Sequence, residues 1–146
     1  MTPAEHITHS AAETRRLARR LLKTLPGRAV LALHGDLGSG KTCFVQGLAE
    51  GLGIRQPVTS PTFTLVHEYR GKRRLVHADL NRIRSADDAL SLGLDEYFEA
   101  DGVVAVEWAE RAAELLPADV VHIRFETLDA PRARRITVGY PLPLVL

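Results

Sequence analysis

Residues Gly35-Asp36-Leu37-Gly38-Ser39-Gly40-Lys41-Thr42 satisfy every fixed position of the pattern G-x-x-x-x-G-K-[ST]. The chemistry of such a loop is phosphate binding. Its glycines let the backbone wrap tightly enough for successive N–H groups to point at phosphate oxygens. A helix that opens at the end of the loop adds free N–H groups and a partial positive charge. Lys41 is then placed to neutralise the β- and γ-phosphates, and Thr42 to offer its hydroxyl to Mg2+. Asp36, Leu37, Gly38, Ser39, Gly40, Lys41, Thr42 and Cys43 are therefore the expected nucleotide-binding run. The competing description is a glycine turn capping a helix, with Lys41 solvated. The match at every fixed position favours a nucleoside triphosphate.

A phosphate loop also needs an acidic group, from a neighbouring apolar strand, to hold Mg2+ or its water shell. Glu107 ends the apolar run Val103-Val104-Ala105-Val106, and Asp79 ends the run Leu75-Val76-His77-Ala78. Lys41, Asp79 and Glu107 are thus the catalytic candidates, with Thr42 and Glu107 as metal ligands. Asp79 could serve the metal or orient the attacking water, and either carboxylate could instead form a turn or cap a helix. His34, His67 and His77 fall on expected strands without metal-site spacing, and read as packed or surface residues. Cys43 stands at a helix start, where the dipole can favour a thiolate, but reads better as a small buried residue.

These groups need elements to hold them. Ala29-Val30-Leu31-Ala32-Leu33 reads as a buried strand feeding the loop, and Phe44, Val45, Leu48, Ala49 and Leu52 recur at helical spacing up to Gly53. Residues 1–9 are polar and are expected to be loose. Ser10-Ala11-Ala12-Glu13 is a capping box for a helix to about Leu25, with Leu17, Leu21, Leu22 and Leu25 inward and a basic face of Arg15, Arg16, Arg19, Arg20 and Lys23. That face reads as solvated, or as a docking surface for an acidic partner or RNA. A two-proline loop spans 54–61. Thr62–Tyr69 and Arg74–Asp79 are expected to pair as a hairpin across Arg70-Gly71-Lys72. Short helices are expected from Ser85 to Leu92, Leu94 to Phe98 and Ala109 to Leu116. Further strands are expected at Val103–Trp108, Val120–Glu126 and Arg134–Tyr140, with an extended, mobile tail at Pro141–Leu146. The fold class is α/β, a three-layer phosphate-loop NTPase fold whose mostly parallel sheet carries an antiparallel hairpin.

The 146 residues make one domain, 1–146. With 19 basic against 18 acidic side chains, global charge points to neither a nucleic-acid nor a membrane partner. No apolar run approaches the ~18 residues of a membrane span, and no signal-peptide core opens the chain. The lone Cys43 excludes an intramolecular disulfide and suits a reducing compartment, so a cytoplasmic protein is expected.

Taken together, the motifs resemble the TsaE family, the bacterial ATPases required for the threonylcarbamoyladenosine modification of tRNA. The resemblance rests on GDLGSGKT, on Ser60-Pro61-Thr62-Phe63-Thr64-Leu65-Val66 with Glu68-Tyr69, and on His77-Ala78-Asp79-Leu80-Asn81-Arg82. Gly93-Leu94-Asp95-Glu96-Tyr97-Phe98 and Val106-Glu107-Trp108 follow in family order. It departs at Asn81, where the family usually has tyrosine, and at Cys43, where threonine is common. The resemblance implies a weak Mg2+-dependent ATPase stimulated by the TsaB–TsaD complex, meeting tRNA only indirectly and no membrane. It implies nucleotide contacts from Trp108 and Arg132, and a nucleotide-sensing switch at Ser60, Pro61 and Thr62. Two other classes compete: a small-molecule kinase, against which no arginine-rich lid or acceptor pocket is legible, and a nucleotide-gated binding module with negligible hydrolysis.

Overall fold

The structure, a computed structural model, describes residues 4–36, 38–61 and 65–139. The apolar run at 29–33 becomes β2 (Arg28–His34), and the helix after the loop is α2 (Lys41–Gly51). Strand β5 (Gly102–Glu107) lies parallel between β2 and β4 (Arg74–Asp79), and β6 (Val121–Thr127) lies parallel on the other side of β2. Hairpin partner β3 (Val66–Arg70) runs antiparallel to β4. On the opposite flank, β7 (Arg134–Gly139) is antiparallel to β6, and β1 (Ala4–Thr8) is antiparallel to β7. The sheet order is β1-β7-β6-β2-β5-β4-β3. A parallel centre with antiparallel flanks is the result.

Side-chain alternation splits the core in two. Leu31, Leu33, Val103, Ala105 and Leu75 face α1 (Ala11–Leu22) and α2. Val30, Ala32, Val104, Val106, Val76 and Ala78 face α3 (Ala86–Ser91), α4 (Leu94–Glu99) and the 3₁₀ helix Ala109–Leu115, which is kinked at Ala112. Helices on both faces make the three layers. Among the described residues, no helix is long and apolar enough to cross a membrane.

Several expectations need correction. Residues 4–8 are not loose but form β1, an edge strand held by backbone pairing while its side chains stay mostly exposed. Strand β3 begins at Val66 rather than Thr62; Leu65 has φ +68°, which breaks the extended run, and Thr62–Thr64 lie outside the described residues. Helix α1 stops at Leu22, short of Leu25. Ser10 does cap it, accepting from Glu13 N, while the Glu13 carboxylate accepts from His9 N. The basic face of α1 is divided: Arg15 and Arg19 reach Glu50 on α2 at 3.4 and 2.6 Å, leaving Arg16, Arg20 and Lys23 outward. Val120 falls outside β6, and Tyr140–Leu146, including the expected end of the last strand, lie outside the described residues.

The two helices cross where Gly47 meets the α1 backbone. A Cβ there would lie 2.5 Å from the Arg15 carbonyl oxygen and 2.8 Å from Ala18 Cβ. Gly47→Leu should therefore lower stability by about 1–3 kcal/mol through overpacking. Urea denaturation measures it; an unchanged midpoint would mean that α1 can shift without cost.

Candidate functional site

The loop joins the C-terminal end of β2 to the N-terminus of α2. Gly40, with φ +111°, occupies the N-cap position, where a side chain would strain the backbone. Lys41 opens the helix and its side chain is buried. The ammonium donates to the Gly35 carbonyl at 2.6 Å and lies 3.5 Å from Glu107 Oε1.

Strand register brings in the carboxylates. In the parallel ladder Asp79 pairs with Glu107, and Glu107 with Leu33, so all three end their strands in one row. Asp79 and Glu107 project to the α2 side, like Leu75, Leu33 and Ala105. Asp79 Oδ1 accepts from Asn81 N at 2.9 Å. Glu107 is buried, and its other oxygen, Oε2, accepts from His77 Nε2 at 2.6 Å. Burial acts to raise the Glu107 pKa. The His77 hydrogen bond and charge and the Lys41 ammonium outweigh it and hold the carboxyl below its ordinary value. Glu107 is an anion at neutral pH.

A cleft of about 730 Å3 opens over this row. Gly38, Gly40, Lys41, Thr42 and Cys43 line it, together with Ser60, Asp79, Asn81, Glu107 and Trp108. Arg132 and Arg134 line it too, Arg134 donating to the Gly38 carbonyl at 3.3 Å. The start of α1 supplies Ser10, Ala11 and Thr14. Of the expected site residues, Lys41, Thr42, Asp79, Glu107, Gly38, Gly40, Cys43, Trp108, Arg132 and Ser60 meet here. Asp36 and Ser39 instead border the other side of the loop, beside His34 and Phe125. Pro61 is buried, its carbonyl accepting from Leu65 N at 2.7 Å. Leu37 and Thr62 lie outside the described residues.

Two residues lining the cleft hold left-handed backbone without being glycine: Trp108 (φ +58°) and Arg132 (φ +62°). Such positions cost about 1–3 kcal/mol and gather at functional sites. The turn at Trp108 leaves its ring exposed, 5.9 Å from Lys41 Nζ and 5.6 Å from the Arg111 guanidinium carbon. Leu65, the third such residue, links Pro61 to the acid: its N–H donates to the Pro61 carbonyl and its own carbonyl accepts from Asp79 N at 2.8 Å.

Sequence reasoning missed His77, Arg134 and the α1 wall. For His77 a signal existed, since a polar residue inside an apolar strand, two positions from an acid, shares that acid's face. Cys43 is half-buried rather than buried, donating to the Ala11 carbonyl at 3.3 Å, and desolvation raises its pKa, so it is a thiol. His34 pairs with His122, Nε2 to Nδ1 at 2.8 Å, on the opposite face of the sheet. Among the described residues, no group of three or more His, Cys, Asp or Glu side chains could by itself hold a metal ion.

A parallel sheet, a glycine loop capping the following helix, and a lysine and carboxylate meeting at the strand ends define a P-loop NTPase. The sequence model for "Threonylcarbamoyl adenosine biosynthesis protein TsaE" matches residues 8–136. The chain is 42% identical over 133 residues to the tRNA threonylcarbamoyladenosine biosynthesis protein TsaE of Treponema pallidum (strain Nichols), covering 91% of this chain and 98% of that one. To its Bacillus subtilis (strain 168) counterpart it is 46% identical over 112 residues, 76% of this chain and 70% of that one. The crystal structure of YdiB from Bacillus subtilis superposes with a TM-score of 0.80 at 38% identity, covering 94% of this chain and 84% of that one. The chain belongs to the TsaE family.

The His34–His122 pair makes stability pH-dependent. Burial, and for His34 also the charge of His122, pulls both pKa values below the ordinary 6.5. As pH falls through about 6.5, the unfolded chain takes up protons first. Their contribution is therefore full above that value and is lost as pH falls toward the folded-state values. His122→Gln should flatten the drop in melting temperature between about pH 8 and about pH 5.5. Parallel melting curves for variant and parent would detach the pair from acid sensitivity.

Proposed function

We propose that the chain is a Mg2+-dependent ATPase acting in the threonylcarbamoyladenosine modification of tRNA, slow alone and stimulated by a TsaB–TsaD complex. The observation that carries this reading is the convergence of Lys41, Glu107 and Asp79 on one cleft at the N-terminus of α2. Family membership supports the pathway; tRNA is met through the complex.

The donor set fits the nucleotide and its ion. Lys41 is held by a carbonyl that a phosphate oxygen can replace, and the loop amides at the helix N-terminus suit the same anion. Thr42 and the anionic Glu107 are hard oxygen donors on the same cleft, and would hold Mg2+. When bound, that ion supplies positive charge to the phosphates. Arg132, Arg134 and Trp108 flank the nucleotide. Asp79 serves the ion's water shell or orients the attacking water. Ser60, Pro61 and Thr62 act as the switch, which Pro61 joins to Asp79 through the hydrogen bonds of Leu65. Positioning and charge carry the rate in such sites, and a docking partner can supply order that the isolated chain lacks.

Lys41→Ala should weaken binding of a non-hydrolysable ATP analogue by about 10–100-fold, the worth of a charge-assisted contact. Calorimetric titration checks it, and equal affinities would remove the loop from the reading. Glu107→Ala should depress Mg2+-dependent phosphate release far more than Mg2+-free nucleotide binding; superimposable magnesium titrations would move the metal role to Asp79. Phosphate release should rise when a TsaB–TsaD complex is added at matched salt. Fast release without partner, unaltered on addition, would favour a self-sufficient ATPase, and transfer to an added acceptor a kinase.

A further inference from the structure

His77 does not touch the cleft, yet it is 0% exposed and bonded to the residue that matters most there. It lies in β4 on the α2 side, in register with Ala105, two residues before Asp79. An ionised carboxylate only accepts, so Nε2 must carry the proton it shares with Glu107 Oε2 at 2.6 Å. The second ring nitrogen, Nδ1, is buried and without a hydrogen-bond partner among the described residues. A half-satisfied imidazole is a poor choice for packing alone, because an aliphatic side chain would fill the same place without an orphaned polar atom.

Geometry gives the imidazole another use. Glutamate has three rotatable side-chain bonds, and at a strand end it could turn either oxygen to the cleft or fold back onto Lys41. Here the two oxygens are divided. Oε2 is taken from the core side by His77, and Oε1 faces the Lys41 ammonium at 3.5 Å. Resting on the proposed metal role of Glu107, we propose that His77 is a positioning residue that holds Oε2 and so commits Glu107 to the cleft through Oε1 alone. Single-oxygen engagement would leave room for Thr42, the phosphates and water to hold the ion as well. Outer partners that orient ligating groups in this way are worth about 10–100-fold in metal affinity or activity.

Trp108 directly follows Glu107, is the one tryptophan of the sequence and lies with its ring exposed beside Lys41, so it serves as the fluorescent probe. The experiment compares parent, His77→Leu and His77→Gln in three measurements: melting temperature, Mg2+ titration of Trp108 fluorescence on the nucleotide-loaded chain, and steady-state phosphate release. His77→Leu should raise the Mg2+ half-saturation and lower kcat by about 10–100-fold, with Mg2+-free nucleotide affinity unchanged. His77→Gln, whose amide N–H can replace the Nε2 donor, should recover part of both. If His77→Leu does not fold, His77→Gln against Glu107→Ala decides: a glutamine variant as impaired as Glu107→Ala overturns the proposal. It is overturned too if His77→Leu leaves Mg2+ half-saturation and kcat unchanged, or if losses follow melting temperature alone without rescue by glutamine. Failure of the ATPase reading looks different, since the parent itself would then show no Mg2+-dependent fluorescence change or phosphate release.

Discussion

The site depends on the parallel placement of β5 between β2 and β4. That register sets Asp79, Glu107 and Leu33 in one row at the carboxyl ends of three strands, the edge at which open α/β sheets bind ligands. A slip of one residue in β5 would turn Glu107 to the opposite face, toward the layer of Phe98 and Leu94, and move the anion away from Lys41. The loop alone can bind phosphate. Only the register gives it a carboxylate.

Burying Lys41 and Glu107 together is costly, since each charge loses its hydration. The arrangement is tolerable because the polar atoms answer one another: ammonium to carbonyl and carboxylate, carboxylate to imidazole. An anion entering above Lys41 would find a cation already desolvated and aimed, with little reorganisation left to make. The same economy explains the two left-handed residues. Trp108 turns the chain sharply after Glu107, and Arg132 turns it before β7, so each strand end delivers a side chain to the cleft.

Much of this was legible in local pattern. The glycine spacing, the apolar runs at 29–33 and 103–106, and the hairpin across Gly71 each depend on neighbours within a few residues. What escaped depends on distant pairing. Strand β1 turns inward only polar residues, Thr8 and half-buried His6, so no apolar stripe betrays it, and it exists because β7 offers an edge. His77 meets Glu107 from thirty positions away: the local pattern marks His77 as facing Asp79's side, but only strand pairing brings Glu107 to it. Arg15 and Arg19 looked like a solvated stripe until α2 placed Glu50 beside them. Arg134 and the start of α1 enter the cleft only because the sheet closes its far flank.

The most direct measurement is a crystal structure of the chain with Mg2+ and a non-hydrolysable ATP analogue. The account predicts that Lys41 Nζ leaves the Gly35 carbonyl for a phosphate oxygen while Glu107 Oε2 stays on His77 and Oε1 turns to the ion or its water. A nucleotide seated elsewhere, or Lys41 still on Gly35 with phosphates bound, would contradict it.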